Sequence, residues 1–133
     1  MILRLFYALL WHLALPFVAL RLLWRARRQP EYLQHLAERF GEAPVSGEAP
    51  VIWLHAVSVG ETRAAQPLVK ALLARYPHHR ILLTHMTPTG RATSEELFGQ
   101  EARVSRSYLP YDLPWAMRRF LARVRPELGI VME

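Results

Sequence analysis

Between Ile2 and Trp24 apolar residues run almost without a break, interrupted only by Arg4, His12, Pro16 and Arg21. The core of this run, Leu5 to Leu20, is a little shorter than the roughly 20 apolar residues that span a bilayer. Arg4 and Arg21 sit near its ends, where long side chains reach back to headgroups. Trp11 and Trp24 have the amphipathic rings that anchor at an interface, although Trp11 lies mid-segment. The pattern then breaks. Glu31 to Phe40 predicts a short polar helix ended by Gly41, and Pro44, Gly47 and Pro50 mark a linker. The expected organisation is a membrane anchor and basic flank over 1–28, a short helix and linker over 29–50, and a globular domain over 51–133.

From Val51 short apolar runs alternate with helix-like stretches. Val51 to Val57, Arg80 to Met86, Val104 to Tyr111 and Leu128 to Met132 read as strands. Thr62 to Tyr76, Arg91 to Phe98 and Pro114 to Val124 read as helices, the second closed by Gly99 and the third opened by a first-turn proline. Pro67 conflicts with a continuous helix over 62–76, because an interior proline removes a hydrogen bond and kinks the chain. Either regular helix begins near Ala65 or it bends there. Alternation of this kind predicts an α/β fold, a Rossmann-like parallel sheet with right-handed crossovers, preceded by the apolar helix.

Composition narrows the function classes. The chain of 133 residues suffices for one core but not for two. The absence of cysteine removes disulfides, thiolate metal sites and cysteine nucleophiles. A net charge of +6 suits nucleic acid, an anionic membrane or a phosphorylated substrate equally. Position helps more than total charge, since Arg21, Arg25, Arg27 and Arg28 directly follow the apolar run. A second basic group, Arg118, Arg119, Arg123 and Arg125, belongs to a later amphipathic segment. No aromatic-interleaved RNA motif and no paired-helix DNA reader is present, so nucleic acid is not the expected partner. Leu22-Leu23-Trp24-Arg25 offers no small-residue cleavage site, which argues against a signal peptide. A single span with a cytoplasmic basic flank, a helix lying in the cytoplasmic leaflet, and an apolar helix packed on a soluble core remain open.

In open parallel sheets ligands bind beyond the carboxyl ends of the strands. Those ends carry Ser58-Val59-Gly60-Glu61, Thr87-Pro88-Thr89-Gly90, Pro110-Tyr111-Asp112 and Glu133. Gly60 and Gly90 would permit tight turns and close approach of a ligand. The same residue types serve ordinary turn and capping needs, and Asp112 is expected to cap the helix that begins at Pro114. Glu61 could act as a general base or merely complement the positive end of a helix. No Gly-x-Gly-x-x-Gly fingerprint or Gly-Lys-Ser/Thr phosphate loop occurs. His55 and His85 are expected close together at adjacent strand ends, two ligands short of a zinc site. His78 and His79 are expected to be solvated.

Four stretches together carry a resemblance. His55-Ala56-Val57-Ser58-Val59-Gly60-Glu61-Thr62, Thr84-His85-Met86-Thr87-Pro88-Thr89-Gly90, Tyr108-Leu109-Pro110-Tyr111-Asp112-Leu113-Pro114 and Met132-Glu133 resemble, in order and spacing, bacterial transferases of Kdo (3-deoxy-D-manno-octulosonic acid). The likeness covers essentially the whole chain. Ala37 departs from it, standing where the family often has glycine before Glu38-Arg39-aromatic-Gly41. The resemblance implies the N-terminal half of a GT-B glycosyltransferase that inverts the anomeric centre, needs no metal or cofactor, and moves Kdo from CMP-Kdo to a lipid A precursor of the lipid IVA type. It further implies lipopolysaccharide biosynthesis on the cytoplasmic face of the bacterial inner membrane. By the same resemblance Glu61 is the base, and Ser58, Gly60, Thr87, Thr89, Gly90 and Glu133 line the acceptor side. Arg21, Arg25, Arg27 and Arg28 would meet membrane lipid or acceptor phosphate. The chain is expected to be a fragment, inactive alone, whose donor-binding half follows. The alternative is a membrane-tethered module that binds a phosphorylated lipid without catalysis.

Overall fold

Near-continuous burial of the two central apolar strands, covered on both faces, sets the architecture. In a computed structural model describing residues 2–44 and 47–133, four parallel strands form one sheet: β1 (Val51–His55), β2 (Arg80–His85), β3 (Val104–Tyr108) and β4 (Pro126–Val131). Met1 and, from the expected linker, Val45 and Ser46 lie outside the described residues. The helices are α1 (Ile2–Ala26), α2 (Val59–Ala64), α3 (Gln66–Arg75), α4 (Pro88–Phe98) and α5 (Pro114–Val124). Successive strand residues face opposite sides. Ile52, Leu54, Ile81 and Leu83 pack with Val69 and Phe98 on the side of α3 and α4, while Val51, Leu82 and Trp53 pack with Phe120 and Val124 of α5. Burying each of these large side chains stabilises the fold by roughly 1.5–3 kcal/mol.

The spatial order is β3-β2-β1-β4. The chain therefore steps outward from β1 to β2 to β3, then returns across the sheet through α5 to place β4 on the other side of β1. The connection reverses direction between β1 and β4. That reversal is the topological switch point at which parallel sheets hold ligands.

Several boundaries differ from the expectations. The region predicted as one helix from Thr62 is two, α2 beginning at Val59 and α3 at Gln66, with Ala65 between them. Pro67 falls in the first turn of α3, where its missing N–H costs nothing. The predicted short helix over 31–40 is instead two 3-10 turns, Pro30–Leu33 and Leu36–Phe40. His35 between them takes a left-handed conformation that interrupts regular helix. Gly41 ends the second turn at φ 95°. A Cβ there would lie 2.5 Å from the Ala116 carbonyl oxygen, so both its backbone angle and its contact with α5 require glycine. Gly99 closes α4 in a right-handed conformation rather than the left-handed one usual for a glycine stop.

The apolar N-terminal run is one 25-residue helix, long and apolar enough to cross a membrane. Most of its surface is bare, with Leu13 62% and Phe17 73% exposed. One stripe is covered. Trp11, Val18 and Leu22 are half-buried at helical spacing, and Ala26 is buried. Tyr7 donates a hydrogen bond to Asp112, and the Trp11 indole N–H donates to the Tyr7 hydroxyl at 2.9 Å. Asp112 thus secures α1 and is not the expected cap, a position taken by Leu113. Trp11 stands mid-segment because it faces Tyr111 of the globular domain, 6.3 Å between ring centres.

Candidate active site at the carboxyl edge of the sheet

The turn after β1 is built around Glu61. Ser58 stands at the N-cap of α2, and Glu61 three residues later turns its side chain back toward the strand end. Its Oε2 accepts from the Val57 backbone N–H at 2.6 Å, and the Ser58 hydroxyl donates to Oε1 at 3.4 Å. This resembles a capping box shifted by one residue, because Glu61 accepts from the Val57 N–H in place of Ser58's own, and the Ser58 hydroxyl accepts from no helix N–H. One oxygen is held firmly and the other only loosely. The helix-complementing role is therefore real, and Oε1 keeps capacity for another donor.

The turn after β2 abuts it. Thr87 caps α4 by accepting from the Gly90 N–H at 3.1 Å, and its hydroxyl donates to the Val57 carbonyl at 3.4 Å. Thr89 is exposed, its hydroxyl donating to Thr87 at 3.3 Å. Gly90 is buried, and a Cβ there would come within 3.1 Å of the Val57 carbonyl oxygen. Close packing of the two turns, not a positive φ, explains this glycine. Gly60 is exposed with open space where a Cβ would stand, so nothing within the described residues demands glycine there. Glu133 follows β4 and is exposed, on the opposite side of the switch point from Glu61.

Beneath this rim lies a buried charged cluster that the sequence reading did not place in the site. Glu38, 8% exposed, accepts from Arg91 Nη1 at 2.5 Å, from Arg91 Nη2 at 3.2 Å, and from the Tyr108 backbone N–H at 2.8 Å. Arg39, 3% exposed, stacks over the Tyr108 ring at 4.1 Å and donates to the Met86 carbonyl at 3.3 Å. The signal was present: Glu38-Arg39-Phe40-Gly41 was singled out as a motif, but a polar pair in a short segment reads as surface. Phe40 stacks on Trp115 and meets Tyr111 edge-on, seating this segment under α1.

His55 and His85 serve the core. The His85 ring is fully buried, and its Nδ1–H donates to the Ala56 carbonyl at 2.8 Å, leaving Nε2 without a partner. Burial pushes its pKa down to about 4, with the Arg91 charge adding to the shift. The His55 Nδ1–H donates toward Thr84, and burial lowers its pKa as well. No group of three metal-ligating side chains occurs among the described residues. His79 is half-buried and meets Glu127 at 3.0 Å, in place of the solvation expected.

Of the basic residues, Arg21 and Arg25 line a cavity with Arg39, Tyr32, Tyr111 and Thr87. Arg27 and Arg28 are exposed, Arg28 lying over the Trp24 ring. Residues 34–133 match the family model described as 3-deoxy-D-manno-octulosonic-acid transferase (kdotransferase). The chain belongs to the Kdo transferase family. It is 49% identical over 126 residues to the 3-deoxy-D-manno-octulosonic acid transferase of Bordetella pertussis, covering 89% of this chain and 29% of that protein. The Haemophilus influenzae transferase of the same name is 41% identical over 132 residues, covering 98% of this chain and 30% of that protein. A probable mitochondrial Kdo transferase of Arabidopsis thaliana is 34% identical over 132 residues, 98% of this chain and 29% of that protein. No solved structure gives a significant match. The chain thus spans about three-tenths of the length of these Kdo transferases.

Proposed function

We propose that this chain is the acceptor-side domain of an inverting Kdo transferase that joins Kdo from CMP-Kdo to a lipid A precursor. The observation that carries this reading is the Glu61 carboxylate at the switch point, fixed through one oxygen by the Val57 N–H and met at the other only by the Ser58 hydroxyl at 3.4 Å. The acceptor hydroxyl gives its proton to Glu61 as its oxygen bonds to the anomeric carbon of Kdo. The bond from that carbon to the CMP phosphate breaks, and its electron pair leaves with the phosphate. Ser58, Gly60, Thr87 and Thr89 form the rim that receives the acceptor, with Gly90 holding the two turns together and Glu133 facing from beyond β4. Residues outside this chain hold CMP-Kdo. No metal or cofactor enters this chemistry.

The membrane reading rests on α1. Arg4, Leu5, Ala8 and His12 lie beside Pro114, Trp115 and Arg118, while Arg25 at the other end lies over Tyr32. The helix thus runs along the domain instead of leaving it. A perpendicular span would carry Asp112, Arg118 and Arg39 into hydrocarbon, at a cost of several kcal/mol each. We therefore place α1 in the cytoplasmic leaflet of the inner membrane, exposed apolar face down and the basic flank at the headgroups.

The test is transfer itself. The intact protein, supplied with CMP-Kdo and a tetra-acylated, bis-phosphorylated glucosamine disaccharide, is expected to yield the Kdo-extended lipid with release of CMP. Binding of the lipid with no product under the same conditions would favour the non-catalytic lipid-binding alternative.

A further inference from the structure

We propose that the cavity between α1 and the β2–α4 turn holds the phosphate monoester of an acylated ligand, with Arg39, Arg21 and Arg25 gripping the phosphate and the adjoining groove taking an acyl chain. This rests on the reading of the chain as the lipid-acceptor half, and specifies where the lipid sits. The cavity measures about 310 Å³, and Arg21, Arg25 and Arg39 line it together with Tyr32, Thr87 and Tyr111. No acidic residue lines it. Three guanidinium groups without a counter-ion repel one another, and a buried cation is costly unless paired.

Arg39 is the decisive residue. Its side chain is almost wholly buried, yet Nε has no hydrogen-bond partner. The neighbouring carboxylate of Glu38 is already committed to Arg91 and the Tyr108 N–H. A guanidinium fixed face-on over Tyr108, with Nη2 on the Met86 carbonyl and Nε unused, keeps a donor for a tetrahedral anion. Neither Arg21 nor Arg25 is ion-paired with a carboxylate among the described residues, and both stand at the headgroup end of α1.

The second half of the site is apolar. A groove of about 490 Å³ lined by Leu15, Val18, Leu22, Leu33, Leu36 and Phe40 continues from the cavity. The two share Val18, Leu22 and Tyr111. An anion socket opening into an alkyl-lined groove matches a phosphorylated lipid and not a free phosphate. Thr87 lines the socket and donates to the Val57 carbonyl, while the Val57 N–H holds Glu61, so the socket adjoins the Glu61 turn.

The test measures binding of the intact protein to phosphatidylcholine vesicles carrying phosphatidic acid, a monoester, or phosphatidylglycerol, a diester, at matched surface charge. The wild type is expected to bind the monoester vesicles roughly tenfold tighter. Arg39→Lys, which keeps the charge but loses the fork, and Arg21→Gln with Arg25→Gln, both on the exposed helix, should each erase that preference. Arg27→Gln with Arg28→Gln should weaken both vesicle types alike. An unaltered preference in the first two variants, or none in the wild type, overturns the site. Inorganic phosphate competing as well as phosphatidic acid overturns the acyl groove. Since no sugar donor is used, loss of the site with transfer intact leaves the glycosyl-transfer reading standing, and the converse holds.

Discussion

At the scale of residues, the carboxyl edge is organised by buried polar groups that have no room for error. Glu38 joins three elements by accepting from Arg91 of α4 and the Tyr108 N–H of β3 from its place in a 3-10 turn. Glu38→Gln removes the charge while keeping the shape, leaving the largely buried Arg91 guanidinium without its carboxylate. The expected loss is roughly 3 kcal/mol or more, read as a lower urea midpoint. An unchanged midpoint would show the pair to be dispensable. His85 makes a second prediction. The unfolded chain binds its proton near pH 6.5, the folded chain only near 4, so the unfolded state holds more protons between those values. Its contribution is complete above about pH 6.5 and lost as pH falls toward 4, on the order of 3 kcal/mol in all. His85→Gln should flatten that part of the stability profile relative to the wild type; parallel profiles would refute the assignment. Glu61 itself was legible because a motif in register pointed to it. The burial of Glu38 and Arg39 is not legible, because one chain cannot show that two charges in a polar segment are covered by a strand 70 residues away.

At the scale of elements, the alternation of runs located all four strands, three of them as short apolar runs bounded by turn residues and the third, Val104–Tyr108, despite its polar Ser105, Arg106 and Ser107. It misjudged the pieces where local chemistry competes. Pro67 announced a break, yet the sequence could not show that Val59 to Ala64 forms a helix of its own, since its first turn is stabilised by Glu61 and by packing on α4. The segment 31–40 carried helical composition, but burying Phe40 against Trp115 and Tyr111 forces tighter turns with His35 left-handed. Gly41 ends this arrangement. Gly41→Ala is expected to cost roughly 2–3 kcal/mol, from a positive φ and a clash with the α5 backbone, visible as a lower melting temperature. Gly60→Ala, with open space around it, should leave stability nearly unchanged. Equal effects at both glycines would contradict the packing argued for the 41–116 contact.

At the scale of the molecule, an apolar helix and an α/β sheet meet along one stripe of α1, and the sheet's direction reversal sets the site beside that seam. The sequence showed the two parts separately. Their relative placement was illegible, because it depends on Trp11, Tyr7 and Asp112 meeting across 100 residues of chain. If the exposed face of α1 is the membrane face, Leu13→Glu with Phe17→Glu should release the protein from liposomes without loss of helical circular dichroism. Retention on liposomes would point to another anchor. The central claim is that the loosely held Oε1 of Glu61 takes the acceptor proton, and Glu61→Gln in the intact transferase tests it most directly. The amide keeps the hydrogen bond from the Val57 N–H and loses the base. Turnover is expected to fall roughly 100-fold or more with an unaltered melting temperature. Turnover near that of the wild type would contradict it.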